Sequence, residues 1–412
     1  MIYGLLGKKL SHSLSPQIHS LFGEYPYELF CREENELDSF FADEKIKAFN
    51  VTVPYKIEAY NRCDFLSDTA KKIGSVNTVV RDENGKLYGD NTDYFGFSRM
   101  AEKYGADFRN KKVLILGSGG ASLAVKTVVQ DSGAREIITV SRTGENHYGN
   151  IDKHFDADII VNTTPVGMYP NNGEKLIDLK KFTSLECVLD LIYNPLKTQL
   201  LLDADELNIS NGNGLYMLVA QGLRSAELFL NKKFDNSVIN YAYNKIKNDE
   251  TNIVLIGMPG CGKSTVGKIL AEKLSKNFID TDLEIERKTS RKIPEIFSEN
   301  GEEFFREIEA EIVEENGKIL GAVIATGGGA VLKTENRNAL KQNGITVYLK
   351  KDLSQLSIEG RPLSKNYETL QKLYDERKFV YESFADFSVD VDSDADVTVE
   401  RIIEKLNEKA AL

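Results

Sequence analysis

Short apolar runs that end at glycine and are followed by helical stretches recur along the 412-residue chain. Three of these runs, at residues 1–6, 111–116 and 252–256, lead directly into glycine-containing turns. Further apolar runs alternate with stretches of helical periodicity, at residues 136–140, 157–161, 188–191, 322–325 and 346–349. Buried strands that alternate with helices are typical of βαβ units and parallel sheets. The pattern therefore predicts an α/β protein.

Two breaks divide this pattern into three predicted domains. At roughly 100–200 residues per domain, the length alone predicts two to four. One break lies near residue 100, before the second glycine turn, and the other lies at the polar segment 248–252. We predict a first domain over 1–100, completed by about 212–247, a second over 101–211 and a third over 250–412.

Composition and charge narrow the class of protein. Hydrophobic residues make up 41% of the chain and charged residues 28%, as in soluble globular proteins. The formal net charge of −11 argues against a general nucleic-acid binder, which presents a basic face. We find no apolar run of about 18 residues and no signal-peptide pattern. The four cysteines lie far apart and the four histidines form no zinc motif, so we expect a cytoplasmic protein without membrane contact.

Residues 257–264 fit the phosphate-binding pattern G-x-x-x-x-G-K-[ST], between an apolar strand and a predicted helix. The glycines allow backbone N–H groups to surround phosphates, and the helix N-terminus adds positive potential. We expect Lys263 to reach the β- and γ-phosphates and the Ser264 hydroxyl to bind Mg²⁺. The predicted ATP-binding residues here are Gly257, Pro259, Gly260, Cys261, Gly262, Lys263, Ser264 and Thr265.

Further polar residues in the third domain suit a small phosphoryl acceptor. Asp280 and Asp282 stand at the end of the next predicted strand, where they can serve Mg²⁺ and an acceptor hydroxyl. The glycines at 327–329 allow close approach to backbone N–H groups. An isolated arginine beside glutamates, such as Arg306 or Arg377, is more often part of a surface ion pair. From the residues alone, a surface ion pair is therefore the favoured interpretation of both arginines.

A second glycine turn, Gly117-Ser118-Gly119-Gly120-Ala121, links a strand to a helix in the second domain. This turn alone is a weak dinucleotide-binding signal, because Ser122 stands at the third glycine position. The next strand ends at Ser141-Arg142-Thr143, where an NAD site has an acidic residue. Arg142 instead favours the 2′-phosphate of NADP, and a solvated surface arginine is the alternative.

The first domain carries polar segments at predicted strand ends and turns. The two most informative are 50–56, which places Lys56 just past a strand, and 89–93, which ends at Asp93. A lysine and an aspartate beside a polar pocket can transfer a proton. Each segment alone is more often a turn than a site.

Residues 250–412 resemble shikimate kinase, because the pieces above and the motif Phe305-Arg306-x-x-Glu309 stand in the order of that family. The resemblance implies that Asp282 holds the shikimate hydroxyls and acts as the catalytic base, while Asp280 supports Mg²⁺ through water. Arg361 would close on a lid, bind ATP and, with Lys263, stabilise the transferring phosphoryl group. The implied substrate-binding residues are Asp282, Arg306, Gly328, Gly329 and Arg377.

Residues 1–245 resemble shikimate dehydrogenase, through the segments above and the motifs at 161–168, 190–195 and 213–221. The resemblance implies an α/β substrate domain followed by a Rossmann-like NADP domain, with Lys56 and Asp93 as the catalytic pair. The implied shikimate pocket contains Ser13, Ser15, Thr52, Lys56, Asn77, Asp93, Tyr193 and Gln221. The implied NADP contacts are Gly117, Ser118, Gly119, Gly120, Ala121, Ser141, Arg142, Thr143, Gly214 and Met217.

Together the two resemblances imply a bifunctional enzyme whose small-molecule substrates are 3-dehydroshikimate and shikimate. NADPH would reduce the first to the second, and MgATP would phosphorylate the second, in aromatic amino-acid biosynthesis. One departure stands out: the family pattern has glycine after the Asn-Thr-Asp triplet, and this chain has Tyr94.

Three alternatives are open to test. The first is a ligand-sensing regulator built from inactive copies of these enzyme domains. Such a protein would lose catalytic groups, whereas Lys56, Asp93 and Lys263 are present in this chain. A dehydrogenase for quinate with NAD is disfavoured by Arg142. A general nucleotide-binding module would explain the glycine loop but not the ordered acceptor residues.

Overall fold

The computed structural model describes residues 1–10, 13–356 and 367–411. The chain forms two compact units, each of which contains α/β layers. The first consists of Met1–Asn194 and Asp203–Ile246, and the second of Pro195–Leu202 and Lys247–Leu412.

The first unit begins with a mixed sheet in the order β2-β1-β3-β5-β6-β4. Strand β5 is antiparallel to β3 and to β6, which differs from the predicted parallel pattern. The turn between β5 and β6 contains Asn84-Gly85, with Gly85 at φ +79°, and this dipeptide is a strong hairpin signal. The strands are β1 (Ile2–Gly7), β2 (Tyr27–Cys31), β3 (Ile46–Val51), β4 (Phe65–Leu66), β5 (Thr78–Arg81) and β6 (Leu87–Asp90); the helices are α1 (Ser15–Ser20), α2 (Leu37–Ala42), α3 (Lys56–Arg62) and α4 (Asp68–Ile73).

A parallel sheet in the order β11-β10-β9-β7-β8 completes the first unit. Its inner strands β7, β9 and β10 are buried along their whole length and mostly apolar, as expected for strands that are covered on both faces. The strands are β7 (Lys112–Leu116), β8 (Glu136–Val140), β9 (Ile159–Asn162), β10 (Cys187–Asp190) and β11 (Ser210–Asn213); the helices of this region are α5 (Asp93–Lys103), α6 (Gly120–Asp131), α7 (Gln199–Glu206), α8 (Leu215–Leu230) and α9 (Ser237–Glu250).

The second unit is built on a parallel sheet in the order β13-β14-β12-β15-β16. The central strand β12 is buried along its whole length and ends at the phosphate-binding loop. The strands are β12 (Asn252–Ile256), β13 (Asn277–Asp280), β14 (Ala322–Ala325), β15 (Gly344–Lys350) and β16 (Phe387–Asp390); the helices are α10 (Lys263–Lys273), α11 (Thr281–Thr289), α12 (Ile293–Gly317), α13 (Thr334–Asn343), α14 (Tyr367–Phe384) and α15 (Ala395–Ala411).

The predicted polar break at 248–252 is shorter than its sequence suggests. Helix α9 continues through Glu250, and only Thr251 separates it from β12. The Lys276 ammonium donates to the carbonyl oxygens of Asn248, Asp249 and Thr251 at 2.7, 3.0 and 3.0 Å. A cation that binds the last carbonyls stabilises a helix end, so a lysine distant in sequence extends α9 through this polar segment.

Among the residues that the structure describes, no helix is long and apolar enough to cross a membrane. All four cysteines are free thiols.

Candidate active sites

Lys56 and Asp93 meet in the first unit. Lys56 opens α3, just past the end of β3, and Asp93 opens α5. Lys56 Nζ donates to Asp93 Oδ2 at 2.5 Å, with the Lys56 side chain 18% exposed and the Asp93 side chain 5% exposed. A largely buried ion pair is weakly screened by solvent, so the two groups are held in one geometry.

Two amides complete the polar surface around this pair. Asn77 Nδ2 donates to Asp93 Oδ1 at 2.9 Å and, over a longer 3.4 Å, faces Gln221 Oε1 on α8. The structure thus brings together four of the residues that the family resemblance implies, Asn77, Asp93, Lys56 and Gln221. These side chains offer both donors and acceptors to a polyhydroxylated ligand.

The other predicted pocket residues lie on neighbouring loops and strand ends. Thr52 follows β3 directly, and its backbone N–H donates to the Leu6 carbonyl at the end of β1. Ser13 and Ser15 lie at the start of α1, where the Ser15 N–H donates to the Ser13 hydroxyl at 3.2 Å. Tyr193 lies three residues past β10 and is partly exposed. Their contact with a substrate is still a prediction.

The glycine turn of the second sheet is open and exposes its backbone. Gly117 has φ +105°, which favours glycine, and a Cβ there would lie 2.7 Å from Thr163 Oγ1. Gly119 caps α6 without a side chain, and a Cβ added at Gly119 or Gly120 meets nothing within 4 Å. An exposed helix N-terminus after a parallel strand is suited to a pyrophosphate.

The remaining predicted NADP residues lie at two strand ends. Arg142 and Thr143 are exposed after β8, and the Ser141 hydroxyl accepts from the Gly144 N–H at 2.9 Å. Gly214 caps α8 where a Cβ would lie 2.0 Å from the Leu191 carbonyl oxygen, and Met217 is buried in the first turns of α8. The residues at the end of β8 therefore present a cation and no carboxylate to a ribose, which fits a 2′-phosphate.

The phosphate-binding loop of the second unit has the backbone that such a loop requires. Gly257, Gly260 and Gly262 have φ of +145°, +83° and +100°, values that residues with a Cβ rarely adopt. Lys263 is buried, and its ammonium donates to the Gly257 and Met258 carbonyl oxygens at 2.8 and 3.0 Å. The lysine therefore lies under the loop, and Cys261 contributes its buried side chain to the core.

Oxygen ligands for a cation stand beside this loop. Ser264 Oγ donates to Asp280 Oδ2 at 2.5 Å, and Asp280 Oδ1 caps α11 by accepting from the Asp282 N–H. A hydroxyl and a carboxylate are ligands that Mg²⁺ prefers. Among the described residues, no group of three or more His, Cys, Asp or Glu side chains is placed to hold a metal ion by itself. Mg²⁺ that is bound with ATP commonly uses few protein ligands. The side chains of Ser264 and Asp280 are thus suitable ligands for Mg²⁺.

The acceptor side of the kinase site is a cluster of opposite charges. Arg306 Nη1 donates to Glu309 Oε2 at 2.7 Å, and Arg306 Nη2 donates to Glu302 Oε1 at 3.0 Å. A Cβ at Gly327 would lie 2.7 Å from Asp282 Oδ1 and 2.8 Å from Glu309 Oε1. Only glycine lets this loop approach the carboxylates so closely.

Glu309 is the residue whose place in this site was not assigned from the sequence. It is 1% exposed, its Oε1 has no hydrogen-bond partner, and burial raises the pKa of its carboxyl. Burial by itself would lower the pKa of Arg306. The nearby Glu309 and Glu302 carboxylates outweigh the effect of burial, so the pKa of Arg306 is raised overall. Arg377 is also buried and its Nε is unpaired. Buried polar atoms without a hydrogen-bond partner, on a carboxylate and on a guanidinium, fit a site that is completed by a ligand.

Arg361 lies outside the described residues. Tyr94 does lie next to Asp93, but its hydroxyl donates to Asp131 at the end of α6 at 3.0 Å. That hydrogen bond directs the tyrosine toward α6, while Asp93 keeps its contacts with Lys56 and Asn77.

Comparisons with known proteins identify the families that the two parts of the chain match. Residues 5–79 match the family model of the shikimate dehydrogenase substrate binding domain, and residues 259–407 match that of shikimate kinase. A shikimate dehydrogenase (NADP(+)) of Clostridium perfringens is 35% identical over 267 residues, which are 60% of this chain and 98% of that protein.

Solved structures extend the similarity to the fold. Shikimate dehydrogenase 1 from Peptoclostridium difficile is 38% identical with a TM-score of 0.55, and a chorismate mutase/shikimate 5-dehydrogenase fusion protein from Clostridium acetobutylicum is 35% identical with a TM-score of 0.57. Each match covers 60% of this chain and 97% of the solved chain. The chain therefore belongs to the shikimate dehydrogenase family, and it carries a shikimate kinase domain at residues 259–407.

Proposed function

We propose that this chain catalyses two consecutive reactions of the shikimate pathway. The first unit reduces 3-dehydroshikimate to shikimate with NADPH, and the second unit phosphorylates the resulting C3 hydroxyl with MgATP. The observation that carries the proposal is the presence, in one chain, of the Lys56–Asp93 pair and of a complete phosphate-binding loop beside Asp280 and Asp282. An inactive regulator would not be expected to keep both sets of groups.

For the reduction, NADPH supplies the hydride to the C3 ketone. The negative charge that develops on the ketone oxygen requires a proton and an electrostatic partner. Lys56 Nζ supplies that proton or stabilises the oxyanion. Asp93 orients Lys56 through the 2.5 Å contact and binds substrate hydroxyls together with Asn77 and Gln221. Ser13, Ser15, Thr52 and Tyr193 would line the rest of this pocket.

NADP is the proposed cofactor of the first unit. The open turn at 117–121 would bind the pyrophosphate with backbone N–H groups, and Ser141, Arg142 and Thr143 would bind the 2′-phosphate. Gly214 and Met217 would border the nicotinamide. The absence of an acidic side chain at the end of β8 supports this preference over NAD.

For the phosphorylation, ATP supplies the γ-phosphoryl group and Mg²⁺ neutralises its charge. Lys263 and the loop N–H groups would hold the phosphates, and Ser264 and Asp280 would hold the cation, Asp280 through water. Asp282 would accept the proton of the C3 hydroxyl. Arg306 and Arg377 would bind the carboxylate of shikimate, because the guanidinium fork matches a planar anion. Gly328 and Gly329 would donate backbone N–H groups.

The same proposal covers the domain limits and the compartment. We assign the substrate domain to 1–100 with about 212–247, the NADP domain to 101–211 and the kinase domain to 250–412. Cytoplasmic location is supported by four free cysteines, which suit a reducing compartment.

Two lysine variants test the proposal in one protein. Lys56→Ala should abolish shikimate-dependent NADPH formation and leave shikimate-dependent ADP formation intact, and Lys263→Ala should do the reverse. We expect each loss to be on the order of 10²–10⁴-fold, because each lysine acts on charge that develops in the transition state. Both activities are measured on the full chain, with NADP⁺ for the first and MgATP for the second.

Two exposed lysines are the matched controls, one on the helix after α3 and one on α10, the helix that Lys263 begins. Lys71→Ala on α4 and Lys268→Ala on α10 should leave both activities unchanged. The proposal is wrong if the unmodified chain lacks either activity, or if Lys56→Ala and Lys263→Ala lose both activities together.

A further inference from the structure

The Asn77 carboxamide is held in one orientation, because one of its neighbours can only donate a hydrogen bond and another can only accept one. Its Oδ1 accepts from the Thr92 backbone N–H at 2.7 Å, and a backbone N–H cannot act as an acceptor. Its Nδ2 therefore faces the Asp93 carboxylate, which only accepts. Asn77 and Thr92 are 4% and 1% exposed, so water does not compete for these groups.

A second carboxamide, that of Asn50 on β3, is oriented in the same way. Its Nδ2 faces the backbone carbonyl oxygen of Asn77 at 3.3 Å, and that oxygen only accepts. Its Oδ1 accepts from the Tyr27 hydroxyl at 2.8 Å. The amide nitrogen of Asn50 thus points toward the buried side of Asn77.

Two buried hydroxyls connect the carboxamides. Asn50 Nδ2 donates to Thr78 Oγ1 at 3.0 Å and to Ser225 Oγ at 2.7 Å. The Thr78 hydroxyl donates in turn to Asn77 Oδ1 at 3.0 Å, and the Ser225 hydroxyl donates to the Gln221 carbonyl oxygen at 2.9 Å. Thr78 and Ser225 are fully buried.

These hydrogen bonds form a chain in which every donor points toward the catalytic aspartate. It runs from the Tyr27 hydroxyl to Asn50, then to Thr78 and Asn77, and ends at Asp93 Oδ1. Consecutive hydrogen bonds that point in one direction polarise one another in a low-dielectric interior. The far oxygen of Asp93 receives Lys56, so the chain fixes the carboxylate from the side opposite the lysine.

We propose that Thr78, Asn50 and Tyr27 are positioning residues of the dehydrogenase, which act through Asn77 on the orientation of Asp93. The inference rests on the proposed catalytic role of the Lys56–Asp93 pair. None of the three has to touch the substrate. Their effect is to keep Asp93 and Lys56 aligned with the ketone while the substrate binds and leaves.

The test compares two substitutions at Thr78 in the full chain. Thr78→Val has nearly the same shape but no hydroxyl, and Thr78→Ser keeps the hydroxyl. We expect Thr78→Val to lower the dehydrogenase kcat about tenfold, because small misplacements of catalytic groups are costly. The KM for NADP⁺ should change less than about twofold, since the cofactor is bound elsewhere. Thr78→Ser should restore kcat.

Tyr27→Phe gives a second, independent reading if Thr78→Val does not fold. It removes the donor that holds Asn50 Oδ1 and should lower kcat by about two- to fivefold. Tyr88→Phe is its control: this tyrosine on β6 is 53% exposed, stacks on Phe65 and contacts no member of the chain, so kcat should be unchanged.

Unchanged kcat in both Thr78→Val and Tyr27→Phe would overturn the inference, and so would a loss in Thr78→Val that Thr78→Ser does not restore. Either result leaves the proposed function intact as long as Lys56→Ala is inactive. A Lys56→Ala chain that still reduces NADP⁺ would instead refute the catalytic pair itself. The two failures are therefore distinguishable.

Discussion

At the scale of single residues, His19 shows how burial changes the chemistry of a side chain without making it catalytic. Its ring stacks on Tyr27 and Phe229, with centroid distances of 4.1 and 5.6 Å, and it is 2% exposed. Burial lowers the pKa of His19 from 6.5 to about 3. The neutral ring is thus part of the packing under the dehydrogenase pocket.

This burial predicts a pH-dependent stability of the first unit. Between pH 6.5 and about 3 the unfolded chain binds a proton at His19 that the folded chain does not. The free energy of unfolding should therefore fall as the pH falls through this window, by up to about 1.4 kcal/mol per pH unit. Thermal unfolding at several pH values measures it, and the transition that NADP⁺ raises identifies the first unit.

The control for this prediction is His19→Gln, which keeps a polar side chain but cannot titrate. Its unfolding free energy should depend less steeply on pH in the same window. An equal slope in both proteins would show that other groups, such as the carboxyls of the unit, account for the acid sensitivity.

At the scale of elements, two loops of the kinase site approach each other so closely that a glycine is required at their contact. A Cβ at Gly328, after β14, would lie 2.7 Å from the Cγ and Cδ atoms of Pro259 in the phosphate-binding loop. The Tyr381 hydroxyl of α14 also donates to the Gly328 carbonyl oxygen. Gly328 is therefore held between the nucleotide loop and a core helix.

Gly328→Ala should push the two loops apart. We expect kcat/KM of the kinase to fall by about tenfold or more, because both substrates are misaligned by one shift. The dehydrogenase activity of the same chain is the internal control and should not change. A kinase activity within about twofold of the original would mean that Pro259 yields without consequence.

The elements also show which features of the molecule could be predicted from sequence. Strands such as 136–140, 252–256 and 322–325 agree with the structure at both ends, because a short apolar run bounded by polar residues is a local signal. The antiparallel pairing of β5 was missed although Asn84-Gly85 signals a hairpin. The extension of α9 depends on Lys276, a contact that no local pattern contains.

The same difference between local signals and contacts distant in sequence applies to the sites. The phosphate-binding loop is contiguous, so its residues and their roles could be proposed from the motif alone. The pairing of Lys56 with Asp93 across 37 positions was expected only from a family resemblance. The polar chain under Asn77 and the buried carboxyl of Glu309 were not predicted, because they depend on packing between elements distant in sequence.

At the scale of the whole molecule, the two reactions share one intermediate. Carbonyl reduction by NADPH is nearly reversible, whereas phosphoryl transfer from ATP is strongly downhill. Removal of shikimate by the kinase should therefore draw the reductase forward. With 3-dehydroshikimate in excess of NADPH and shikimate added to stop net reduction, MgATP should restart NADPH oxidation.

The Lys263→Ala chain is the control for this coupling. It keeps the reductase and should show no effect of MgATP. If MgATP accelerates NADPH oxidation equally in that variant, the effect comes from nucleotide binding and not from removal of the shared intermediate.

The way the chain is divided between its two units has a practical consequence for anyone who wishes to obtain one enzyme without the other. The division falls inside α9, and Pro195–Leu202 belongs to the second unit although residues of the first precede and follow it. In that unit the Leu196 N–H donates to Asn343 Oδ1 at 2.9 Å and the Lys197 N–H to the Gln342 carbonyl oxygen at 2.8 Å. No single cut therefore separates the two units. A gene truncated after residue 246 would yield a dehydrogenase whose 195–202 segment has lost these partners. Replacing the buried apolar residues that the truncation exposes in that segment, such as Leu196, would be the first step toward a soluble product.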